Sequence, residues 1–137
     1  MAITTSTPRI SESEKLTLNL GYVDLGQIDL LVSEGFYANR SDFIRTAIRS
    51  HLSTHGEALR QVVARKMLVL GLQHFSVADL TKVQSAGEKL QIRVLGLASI
   101  ANDVPAELAA ATIESITVLG ALHASPAVRA ALADRIH

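Results

Sequence analysis

The chain has no cysteine, which excludes disulfide frameworks, thiolate zinc sites and cysteine nucleophiles together. That suits a reducing cytoplasm, where we expect the protein, and disfavours a secreted scaffold. An excess of charge is missing too. Thirteen Lys and Arg face thirteen Asp and Glu, so net charge supplies no bulk attraction to a polyanion. Long hydrophobic runs are absent: the longest, such as residues 67–72, are far too short to cross a bilayer, so no membrane partner is expected. Residues 1–14 are rich in Ser and Thr without an apolar run, and read as a flexible arm and not a signal peptide, with Arg9 in it read as disordered. No Ser/His/Asp set, carboxylate pair or phosphate loop is visible, and Gly71, Gly96 and Gly120 stand isolated, so neither an enzyme nor a cofactor is expected.

What is present is a hydrophobic fraction of 48% over 137 residues, enough to bury a real core in one domain or two small ones. Pattern separates the arm 1–14, a strand-helix-helix block 15–55, a helical connector 56–66 and a repetitive segment 67–137, with Gly56 marking the second boundary. The whole is expected to be α+β. In residues 15–20, Leu16, Leu18 and Leu20 alternate strictly with Lys15, Thr17 and Asn19, the pattern of a half-buried strand. Gly21 ends it. Asp24 is placed to cap a helix running to about Glu34, with Leu25, Ile28, Leu31 and Val32 on one face. Gly35 stops that helix, and Asn39-Arg40-Ser41-Asp42 opens a second, an N-cap residue followed three positions later by an acid. Phe43, Ile44, Ala47, Ile48 and Leu52 give this helix an apolar face to about Ser53, with Arg45 and Arg49 on its other side.

One short strand and two helices cannot cover their own apolar faces, and a lone strand leaves both edges unpaired. A homodimer resolves this if two strands pair antiparallel and the helices merge into one core of Leu16, Leu18, Leu20, Ile28, Leu31, Phe43, Ile44 and Ile48. Lys15, Thr17 and Asn19 of both copies then line the outer face of a two-stranded ribbon. Such a ribbon fits a DNA major groove, where Lys donates to guanine, Asn bonds adenine on two edges, and Thr uses its hydroxyl or methyl. The helix starting at Asn39 offers backbone N–H groups and a positive dipole end to a phosphate, with Arg40 beside it. Arg45 and Arg49 read as a solvated face or as intersubunit ion pairs.

The sequences KLTLNL and EGFYANRSDFIRTAIRSHL, spanning roughly residues 15–52, resemble the CopG/Arc/MetJ class of ribbon-helix-helix repressors and antitoxins. The resemblance implies a cytoplasmic regulator that binds double-stranded DNA as a homodimer. It makes Lys15, Thr17 and Asn19 base readers and places Asn39, Arg40 and Ser41 at the phosphate clamp. The stretch 21–26 is less typical of the class.

In the last segment Val-Leu-Gly recurs with its glycine at 71, 96 and 120. Each copy opens with an apolar run (67–72, 92–97, 116–122), passes through a polar or small-residue loop, and enters a helix-like stretch, at 77–89, 105–114 and 126–135. Repeated β-loop-α units imply parallel strands joined by helical crossovers, as in a short β/α solenoid, or a closed α/β domain with a duplicated ancestor. Free sheet edges and alanine-rich helix faces suggest higher-order self-association beyond the ribbon dimer. The architecture also resembles nickel-responsive repressors, but with no Cys and no close His cluster in this half the metal ligands do not carry over, and no metal site is expected. His74 and His123 occupy equivalent repeat positions, with Ser99 between them, and read as polar loop residues. Three functions therefore compete: a repressor, an antitoxin, whose tail in this class is usually short and folds on its toxin, and an assembly protein with secondary DNA binding.

Overall fold

The computed structural model describes residues 13–137, so the arm expected at 1–14, Arg9 included, lies outside the described residues except for its last two positions. The described chain is α+β, with six α-helices and one three-stranded parallel sheet. It divides into two units, Ser13–Val62 and Val63–His137, the division falling inside a helix.

In the first unit, residues 13–21 carry no regular secondary structure in one copy of the chain. The strand expected at 15–20 has no ladder there, since a strand is defined by a bonded neighbour. Helix α1 spans Tyr22–Ser33 and starts earlier than expected: Gly21 is its N-cap and Asp24 sits inside the first turn. The acid acts from there on the positive helix end instead of capping it. At the other end, Gly35 (φ +85°) lets its own N–H reach Val32 O (3.1 Å) and the Phe36 N–H reach Leu31 O (3.0 Å). Both bonds are those of a Schellman stop, which requires the left-handed conformation that glycine adopts without cost. Helix α2 (Arg40–Thr54) follows, then α3 (Gly56–Lys66).

The second unit runs β1 (Val69–Phe75), α4 (Val77–Ser85), β2 (Leu90–Ile100), α5 (Ala106–Thr112), β3 (Ile113–His123) and α6 (Pro126–Ala131), ending in a 3₁₀ turn, Ala133–Arg135. The strand order is β1-β2-β3 and both pairings are parallel. The sheet is open, neither closed nor curled, so the expected solenoid is corrected to a small open α/β unit. Strands are longer and helices shorter than the sequence pattern suggests. Helix α4 ends at Ser85 and not Lys89, because Ala86 and Gly87 (φ +68°) close a second Schellman-type stop, with Gly87 N bonding Gln84 O and Glu88 N bonding Val83 O. Helix α5 ends at Thr112 because β3 begins at the next residue.

The core joins Leu80 of α4, Ala109 of α5 and Val128 of α6 to Ile92, Val94, Ala98 and Ile100 of β2 and Ile113 and Ile116 of β3. A strand's successive side chains point to opposite faces, so these helices cover one side of the sheet. Small residues along α5 let it lie between α4 and α6, and Arg135 donates to the Ala110 and Ile113 carbonyls (2.7 and 2.8 Å), satisfying acceptors left over at the end of α5. The opposite side chains Leu70, Leu72, Leu95, Leu97, Leu119 and Ala121 fall outside this core.

Val-Leu-Gly aligns across the sheet: Gly71 pairs with Gly96, and Gly96 with Gly120. All three have φ between +122° and +140°. In that conformation a Cβ would point along the sheet instead of out of it. One on Gly96 would collide with the Gly71 carbonyl, and one on Gly120 with the Gly96 carbonyl, whereas Gly71 faces open space. Gly71→Ala therefore carries backbone strain alone, about 1–3 kcal/mol. Gly96→Ala adds a backbone collision worth a further 1–3 kcal/mol or so. Urea unfolding of the two variants should place Gly96→Ala clearly below Gly71→Ala, and equal midpoints would show that the sheet yields at this row.

Candidate nucleic-acid interface

The start of α2 is held by its own sequence. The Asn39 side chain accepts from Asp42 N (2.8 Å), and the Asp42 carboxylate in turn accepts from Ala38 N (2.9 Å). The two bonds together tie the turn to the helix, the carboxylate reaching one residue past the N-cap. Tyr37 stacks edge-on against Phe43, ring centres 5.0 Å apart, fixing the entry of the chain. The N–H groups of Arg40 and Ser41 belong to the first turn, where no intrahelical acceptor exists.

Arg40 is exposed, but it is engaged. Its Nε and Nη2 donate to the two oxygens of Asp29 on α1, at 2.7 and 2.8 Å, a bidentate pair across the helix-turn-helix. These hydrogen bonds from Arg40 hold the Asp29 carboxyl below the usual carboxylate range and push the guanidinium further up. Sequence reasoning placed Arg40 at the clamp and missed Asp29; the available signal was an acid on α1, which carries two, Asp24 and Asp29. The pair spends two of the five guanidinium donors, leaving the others for a second acceptor.

Asn19, Arg40 and Ser41 line one groove of about 550 Å³, together with Leu16, Leu18, Leu20, Leu25, Ile44 and Arg45. Three of the six expected DNA contacts are thus brought together. Asn39 caps the helix beside them, while Lys15 and Thr17 lie on the same exposed segment outside the groove lining. Of the residues assigned to a dimer core, only Ile28 is buried in one copy. Leu31, Phe43 and Ile44 are half-buried, and Leu16 (78% exposed), Leu18, Leu20 and Ile48 are open. Arg45 and Arg49 are exposed on α2.

In the second unit, His74 and His123 lie inside strands and not in the loops expected for them, aligned through Ser99 in the register of the sheet. His74 Nδ1 and the buried Ser99 hydroxyl share a hydrogen bond of 2.6 Å, which accounts for both groups structurally. Among the described residues no cluster of three His, Asp or Glu could hold a metal, and no helix is long and apolar enough to cross a membrane.

The depressed Asp29 carboxyl makes the pair's contribution pH-dependent. It is present above the unfolded carboxylate pKa, about 3.9, and is lost as pH falls through the lower folded value. Thermal melts of the chain and of Asp29→Asn should differ at neutral pH and converge once the pH has fallen through the lowered folded value; a constant offset at all pH values would mean the carboxylate charge is not what matters. Asn39→Ala should lower stability by about 1 kcal/mol in the same assay, through loss of the cap.

Comparison with curated proteins and with solved structures returned no match. A family model of ribbon-helix-helix transcriptional regulators matches residues 11–129, running from the leucine segment through the end of β3 and into α6. The match thus reaches well past the 15–52 block on which the resemblance was read, and takes in the β/α unit. Regulators of this kind act by binding DNA as dimers and are not enzymes. On that match, the chain belongs to the ribbon-helix-helix transcriptional regulator family.

Proposed function

We propose that the protein is a repressor that occupies its operator as a homodimer, residues 15–20 of two copies pairing antiparallel into a ribbon laid in the major groove. Lys15, Thr17 and Asn19 read base edges, and Asn39, Arg40 and Ser41 anchor a phosphate at the start of α2. The observation that carries this reading is the shared groove: Asn19, a base reader, lies beside Arg40 and Ser41 at the helix start within a single unit. The open leucines of the segment, with Phe43, Ile44 and Ile48 of α2, supply the apolar surface that the second copy buries.

A chain of zero net charge has little nonspecific hold on DNA. Affinity then depends on a few well-placed cations, Arg40 first, and on copies linked through the β/α unit. That unit is folded around its own core, which weighs against an antitoxin tail that folds on its toxin. As a DNA-bound regulator the protein works in the cytoplasm.

Selection of bound sequences from a random pool, followed by titration across a salt series, tests the assignment. Alanine at Lys15, Thr17 or Asn19 should relax one operator position each by about 1–3 kcal/mol, and the triple variant should lose sequence preference altogether. Arg40→Ala should weaken all sequences alike and flatten the salt slope by about one per copy. Sequence-specific binding that survives the triple substitution removes the ribbon reading.

A further inference from the structure

We infer that the helix-free face of the β1-β2-β3 sheet is an interface that takes the same face of a second copy. In the sheet register, Leu70, Leu95 and Leu119 form one row across the three strands, and Leu72, Leu97 and Ala121 form the next. None of the six belongs to the core under the helices. Leu70 is 74% exposed, Leu72 61% and Leu119 51%, and they surround Leu97, which on the central strand is only 8% exposed. Parallel sheets are ordinarily covered on both faces, and their strands read as continuous apolar runs for that reason. The Val-Leu-Gly repeats have that character, yet the helices of this unit cover one face only.

The occupant is argued from chemistry and from copy number. Six adjacent positions without a polar atom match only another apolar surface. Two-fold symmetry makes such a patch its own complement, with like rows meeting across sheets about 10 Å apart. The ribbon dimer proposed above already carries two of these faces on one assembly. A stretch of about five residues on each strand, taking in the two apolar rows, spans roughly 14 by 17 Å, or on the order of 500 Å² for both faces. That is below the ~1,000 Å² of a self-sufficient complex, so the contact relies on the tether, which raises the effective concentration to the millimolar range. The pairing rests on the proposed ribbon dimer and extends it, giving each assembly a second contact between copies.

The absence of native cysteine makes the test direct. In the full-length protein without DNA, Leu95→Cys at the centre of the face is treated with a short bis-maleimide, beside Lys82→Cys on the exposed side of α4 and Thr17→Cys on the outer face of the ribbon segment. The expected result is covalent dimer from Leu95→Cys in about tenfold excess over Lys82→Cys, abolished when Leu70→Asp and Leu119→Asp are added, while Thr17→Cys still crosslinks. Both aspartates replace residues already more than half exposed, so the sheet keeps its fold, checked by circular dichroism. Crosslinking at Leu95→Cys no greater than at Lys82→Cys overturns the inference, as does crosslinking indifferent to the aspartates. A cysteine at 95 shielded from reagent but yielding no covalent dimer assigns the face to another segment of its own chain, and equally overturns it. Loss of crosslinking at Thr17→Cys instead indicts the ribbon dimer, which separates the two failures.

Discussion

Apolar surface that one copy cannot bury is the constraint on which the rest of the molecule depends. In the unit Ser13–Val62 the two helices enclose a single buried side chain, Ile28, while Leu16, Leu18 and Leu20 stand open along a segment with no strand partner. A free-standing domain of that composition would gain too little from burial to offset the entropy of ordering its chain. In the ribbon dimer proposed above, dimerisation is thus part of folding for this unit. The polar residues between the leucines become a defined surface only once the leucines are committed.

The same economy appears in the charges. With acids and bases in balance, an arginine left loose near the helix start would add little. Asp29 restrains Arg40 by a two-point grip and leaves its remaining donors directed elsewhere. A pre-oriented guanidinium loses less side-chain freedom on meeting a phosphate than a mobile one, so the acid that cancels its charge also lowers the entropy of engaging it. Both residues are about half exposed, which keeps the pair weak enough to be shared.

Local features of the sequence were the legible ones. Gly35 as a helix stop, Asn39 as an N-cap accepting from the Asp42 N–H, and the three glycines as a repeat all express backbone chemistry confined to a few residues, and the structure places each accordingly. The start of α1 was misread because an acid in the first turn and an acid at the cap look alike in sequence. The ends of α4 and α5 were misread because apolar periodicity runs on into the following strand. The partnership of Asp29 with Arg40 and the in-strand positions of His74 and His123 were not legible, since both depend on how elements separated by eleven or more residues come together. A solenoid and a flat open sheet share the same local repeat; what separates them is curvature, which no single repeat encodes.

The glycine row bears on how the β/α unit comes apart. Repeat proteins ordinarily fray from their ends, because each repeat needs only its neighbours and strands can slide between equivalent registers. Here a slip of one residue would set the Cβ of a valine or leucine against a neighbouring carbonyl where only glycine's hydrogen fits. Each strand is keyed to the next like teeth on a common shaft. Three short repeats are thereby held in one register, the one in which the glycines meet.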